Sequence, residues 1–190
     1  MEARSEMSVM PRAAARLVAF GALGGVLAGL VLAVTEMIYG WATSVHTAWD
    51  APMAIWAWIV GLNHFGQPGN HIGPILLGLG THMVISMIAG VVFVAVLATI
   101  RLRINALAVV LGIAYGLVLW VITRYGLLPL RDSTKALFTT SMVSPQWVWW
   151  LAHGLFGLTL GTSYAAVRRA RMLPVANVSR MRDDAPRMAA

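Results

Sequence analysis

Four ionisable side chains, Glu36, His82, Arg124 and His153, stand inside or at the edge of otherwise apolar runs in this 190-residue sequence. Carboxylate and imidazole are common ligands of divalent metals. A two-histidine, one-glutamate set made of Glu36, His82 and His153 is chemically sufficient for such an ion. Alternatively His82 and His153 alone would ligate a b-type haem between two helices, with Gly78, Gly80, Gly154 and Gly157 leaving room for a flat macrocycle. His46, Asp50, His64 and His71 lie between the first two apolar runs and supply outer-loop ligands, Asp50 falling one helical turn after His46. Arg124 argues against a cation in this layer. It suits a structural ion pair with Glu36, in which each charge offsets the other's desolvation. The same groups also fit a polar network that fixes helix register without chemistry, or relay groups in a proton or small-solute pathway. No H-E-x-x-H, P-loop, G-x-S-x-G elbow or strand-borne G-x-G-x-x-G occurs, so the sequence is not read as that of an enzyme.

The elements that must position these groups are helices in a membrane. Hydrophobic residues make up 59% of the chain and charged residues only 11%, with a mean hydropathy of +0.75, well above a soluble domain. Residues 75–100 contain a single ionisable side chain, His82. As a helix that run is about 39 Å long, enough to cross a hydrocarbon layer of about 30 Å. The pattern predicts an all-α integral membrane protein with four transmembrane helices in a bundle, at about 17–40, 74–100, 105–124 and 147–168. A further apolar stretch at about 50–61, opened by Asp50 and Pro52 and carrying Trp56 and Trp58, is too short to span. It reads as a short interfacial helix on the extracytoplasmic side, where tryptophan is favoured. Residues 1–16 form a cytoplasmic N-terminal segment, 17–169 the transmembrane domain, and 170–190 a tail too polar to fold alone, read as disordered and cytoplasmic. The basic start before an apolar run also resembles a signal peptide, with Val31 and Ala33 before a cut, but the run is longer than the usual apolar region of one.

Eleven of the fourteen basic residues fall at the N-terminus, at Arg101 and Arg103, and in the C-terminal tail, which places both termini in the cytoplasm. The net charge of +7 thus reflects topology, and nucleic acid is not an expected partner. With this orientation Glu36, His82 and His153 lie at similar depths, about 5 to 10 Å below the outer boundary, with Arg124 near the same end. Gly21, Gly25 and Gly29 recur every fourth residue and make a face that another helix can approach closely. Glu36, seven residues beyond Gly29 and eleven beyond Gly25, lies within about 20° of both on a helical wheel. Gly112 with Gly116, and Gly154, Gly157 and Gly161, repeat the pattern. These faces are the candidate contacts for a second copy of the chain or for a membrane complex, and the lipid bilayer is the general partner. The absence of cysteine excludes disulfides and thiolate sites.

A glycine-rich first span ending in Glu36, a second span with Thr81, His82 and Ser86, and a last span that begins with His153 and ends in Arg168 and Arg169 together resemble the YagU-type family of four-helix bacterial inner-membrane proteins. The resemblance covers most of residues 17–169, and the loop before Ile75 departs from it. It implies a bacterial inner-membrane location and a link to acid stress, and Glu36, His82 and His153 are the positions it carries over. Residues and resemblance together give a small inner-membrane protein with a polar layer in the outer leaflet. The alternatives are an accessory subunit of a larger membrane complex and a component of a proton or small-solute pathway.

Overall fold

A computed structural model describes the backbone of residues 2–43, 47–61, 72–100, 104–131 and 143–184, with side chains described between residues 14 and 169 of those ranges. Among the described residues every regular element is a helix. In chain order they are α1 (Glu2–Thr43), α2 (Asp50–Val60), α3 (Ile72–Thr99), α4 (Asn105–Val121), a π-helical turn (Ile122–Leu127), a 3-10 turn (Leu128–Leu130) and α5 (Gln146–Asp184). Among the described residues three stretches are long and apolar enough to cross a membrane: Ala14–Thr43, Ile72–Thr99 and Asn105–Leu130. The chain is that of a membrane protein. The expected fourth span lies within α5, whose first turns carry Gln146, Trp147, Trp149, Trp150 and His153, and these polar and amphipathic groups dilute its apolar character. Helix α1 begins at Glu2 and α5 runs to Asp184.

Glycine sets the packing. On α1, a Cβ built at Gly21 would stand 2.6 Å from Val91 Cα, and one at Gly25 would stand 2.9 Å from Met87 Cα. On α4 and α5, a Cβ at Gly112 would stand 3.0 Å from Gly161 Cα, and one at Gly161 would stand 2.7 Å from Val109 Cα. Real side chains do not fit at such distances. The two seams, α1 with α3 and α4 with α5, therefore close backbone to backbone, and in both the residue numbers run in opposite directions. Van der Waals contact along such a seam drives helix association where lipid removes the hydrophobic effect. The pairs join chiefly through α1 and α5, over a core of Ala28, Leu32, Phe93, Val94, Leu97, Ala108, Ala152, Phe156 and Leu160. Helices α3 and α4 scarcely meet. One bridge between them is the Tyr115 hydroxyl, which donates to the Ala89 carbonyl at 2.8 Å. The outward faces, among them Leu23, Leu27, Ile88 and Val110, are exposed and apolar, as a lipid-facing surface requires.

Helix α2 lies against α3, the Pro52 carbonyl seated on Gly78, and packs Ala51, Ala54 and Ala57 against Leu128 and Val143. Its start is held by the Asp50 carboxylate, which accepts from the Thr47 backbone N–H at 3.0 Å and from the Thr47 hydroxyl. Its end is held by Gly61, whose φ of +107° only glycine adopts readily. There the Arg131 guanidinium donates to the Trp58 carbonyl at 2.7 Å and to that of Ile59, covering last-turn acceptors and complementing the helix dipole. The regular winding of α4 gives way to the π turn just before Pro129. A proline there lacks the N–H for Tyr125 and crowds its carbonyl.

Candidate functional site

Glu36, His82, Arg124 and His153, from α1, α3, the π turn and α5, line one cavity of about 180 Å³. Its walls are otherwise largely apolar, with Trp58 of α2 forming part of its cover and Trp120, Trp149 and Phe156 its sides. Helical period alone brought Glu36 onto the glycine face of α1. Because that face seats directly on α3 through Ser86 and Met87, the carboxylate is held at the inner surface and is 4% exposed.

The hydrogen bonds fix what each group offers. His82 Nε2 lies 3.0 Å from the Gly29 carbonyl. A carbonyl only accepts, so in this contact the proton sits on Nε2 and a neutral ring leaves Nδ1 as an acceptor. His153 Nδ1 lies 2.8 Å from the Trp149 carbonyl, one turn back on its own helix, and by the same reasoning leaves Nε2 as an acceptor. Arg124 sits 5.7 Å from the Tyr125 ring centroid. With its amide oxygen turned toward the guanidinium, Gln146 accepts from Arg124 at 3.3 and 3.1 Å. Glu36 Oε1 and Trp58 Nε1 are buried without a hydrogen-bond partner. Both residues line the cavity.

Several expectations need correction. The Glu36–Arg124 ion pair is not among the contacts of the described residues: Oε1 of the acid has no partner, and the guanidinium faces Gln146 and Tyr125. Sharing a cavity wall does not require touching. Among the described residues no three His, Asp or Glu side chains are grouped to hold a metal ion, so Glu36, His82 and His153 line a cavity without forming a metal cage. His82 and His153, the pair expected to ligate a b-type haem, both line the chamber of about 180 Å³, each with one ring nitrogen held by a backbone carbonyl. Of the outer-loop ligands, His46, His64 and His71 lie outside the described residues, and Asp50 is engaged with Thr47. The sequence reading did not single out Trp120, Trp149 or Gln146 as site residues. A signal existed for the two tryptophans: Trp149 precedes His153, and Trp120 precedes Arg124, by four residues, one helical turn on the same face.

Ile85, on the α3 side of the cavity, is 50% exposed, and the lining also includes Thr123 of the π turn with Leu119 and Trp120 of α4, the helix that α3 scarcely meets. Compared with known proteins, the chain matches no family model, no curated protein and no solved structure.

Proposed function

We propose that this chain is a four-span inner-membrane protein of bacteria whose role is to bind a small lipophilic molecule taken from the surrounding lipid. In this reading α5 is the fourth span, α2 lies at the outer interface as a cover, and both termini are cytoplasmic. The uneven distribution of arginine supports the orientation. The observation that carries the functional reading is the cavity itself: α1, α3, the π turn and α5 each bring one ionisable group to a largely apolar chamber, and in this reading the side where α3 scarcely meets α4 faces the bilayer. Ligand sites are commonly of this kind, mainly apolar with a few convergent polar groups.

The test uses tryptophan fluorescence of the purified protein in lipid nanodiscs, with 4-bromotoluene as a heavy-atom quencher. Trp58, Trp120 and Trp149 line the cavity, so occupancy should quench saturably, and unbrominated toluene should reverse the effect. Ala89→Phe and Thr123→Phe, each adding a ring to the wall, should remove the saturable component. Quenching that rises only linearly with the quencher dissolved in the lipid would sink the proposal.

A second reading, an accessory subunit of a larger membrane complex, is supported by Gly80 and Gly154. A Cβ on either would meet nothing within 4 Å among the described residues, which leaves both positions open to a neighbouring helix. Co-purification of stoichiometric partner chains in mild detergent, with no saturable quenching, would favour it.

A further inference from the structure

We infer that the ligand is a single-ring, membrane-soluble phenol or hydroquinone, its hydroxyl held between Glu36 and Trp58 and its ring against Trp120, Trp149 and Phe156. This rests on the binding reading above.

The argument is an inventory of hydrogen-bonding capacity. Two buried side-chain atoms on the cavity wall lack partners: Glu36 Oε1, an acceptor, and Trp58 Nε1, a donor. His82 and His153 have each committed one ring nitrogen to a backbone carbonyl, and each retains an acceptor on the other. A buried polar atom without a partner is costly, so an occupant that satisfies both orphans gains over one that satisfies only one. Opposite an ionised Glu36, an ether or a quinone carbonyl brings only acceptors and serves Trp58 alone. An ammonium brings only donors, serves Glu36 alone, and would share the chamber with the Arg124 guanidinium. A hydroxyl both donates and accepts.

Volume and wall chemistry select the body. The chamber of 180 Å³ is slightly larger than the roughly 150 Å³ that holds benzene. The indoles of Trp120 and Trp149 and the ring of Phe156 on the same wall present surfaces that favour offset or edge-on packing with another aromatic ring. In the binding reading the side between α3 and α4 faces lipid, where such molecules partition. A hydroquinone bearing a hydrocarbon tail can seat its ring while the tail stays in the bilayer.

The test compares 4-bromophenol, 4-bromoanisole and 4-bromotoluene as saturable quenchers of the nanodisc-reconstituted protein, each referred to its concentration in the lipid. It is run near neutral pH, where a phenolic hydroxyl with an ordinary value of about 10 keeps its proton. The three share a ring and a bromine and differ in the polar group. 4-Bromophenol should bind roughly tenfold tighter than 4-bromoanisole, the effect of about one net hydrogen bond. Glu36→Leu should remove most of that preference, and Trp58→Phe should weaken 4-bromophenol roughly three- to tenfold while leaving 4-bromotoluene unchanged. Thermal melts of both variants check folding, and Trp58→Phe, which keeps an aromatic body, decides the matter if Glu36→Leu does not fold. Equal saturable binding of all three probes would overturn this inference and leave the proposed site standing. So would a phenol preference unmoved by both variants, since the orphan atoms would then be satisfied by water alone. Saturable binding of none would overturn the proposed site itself.

Discussion

Gly24 and Gly25 are adjacent on α1, yet replacing each by alanine should have opposite consequences. A Cβ at Gly24 would rest 3.6 Å from Leu160 Cδ2, an ordinary contact with the flexible end of a side chain. At Gly25 it would stand 2.9 Å from Met87 Cα and closer still to the Ser86 carbonyl oxygen, both backbone atoms of α3. Restoring a contact of 3.4 Å to Met87 requires α1 and α3 to part by about 0.5 Å, and relieving Ser86 requires more. A radial gap of about 0.5 to 1 Å forfeits a quarter to a half of each dispersion contact along the seam. Overpacking of this kind costs about 1–3 kcal/mol. Gly24→Ala instead exchanges a poor helix former for the best one, at up to about 1 kcal/mol of gain. Gly25→Ala shares that gain, so the variants should differ by the overpacking cost alone, about 1–3 kcal/mol, with Gly25→Ala the less stable. Unfolding titrations in mixed micelles, followed by circular dichroism, measure the difference. Equal midpoints, or a Gly25→Ala protein as stable as the parent, would refute the backbone-to-backbone seam.

Three further outcomes are expected. Glu36→Leu removes a buried carboxyl oxygen that has no partner in favour of an apolar side chain of similar size; it should raise stability by about 1–3 kcal/mol, and a loss of that size would mean the carboxyl is satisfied in the folded protein. Arg131→Ala uncovers the Trp58 and Ile59 carbonyls at the end of α2; it should destabilise by about 1.5–3 kcal/mol and speed amide hydrogen exchange in α2 while leaving α1 unchanged, and uniform exchange throughout would count against a local cap. The chain has no cysteine, so Trp49→Cys and Ile104→Cys, at positions 46% and 61% exposed, report topology without background. An impermeant thiol reagent should label the first and spare the second in sealed cells, and the reverse pattern would invert the proposed orientation.

The site also accounts for its apolar surroundings. A polar group in lipid is tolerated where it faces protein or a cavity, and the four ionisable groups here do so from four different elements. The aromatic packing of Tyr39 on Trp147, 5.6 Å between centroids, ties the end of α1 to the start of α5, and the hydroxyl of Tyr115 spans the loosest neighbour pair at its inner side.

What the sequence alone determined follows from requirements that are local and strong. Long runs nearly free of charge become helices because lipid cannot satisfy a bare backbone, and three of the four expected spans coincide with helices of the required length and character. A glycine every fourth residue defines a face whatever its partner, so Gly21 and Gly25 announced a close approach before α3 was known to make it. The same period put Glu36 on the inner side of α1, and helix depth put His82 and His153 at its level. Tertiary structure alone decided the connections. Gln146 rather than Glu36 faces Arg124, because hydrogen bonds reach only about 3 Å and the azimuth of one helix against another settles which group lies within that reach. It also decided that α3 and α4 scarcely touch, since packing against α1 and α5 consumes their small-residue faces, and that residues of every described helix, Trp58, Trp120 and Trp149 among them, line one chamber.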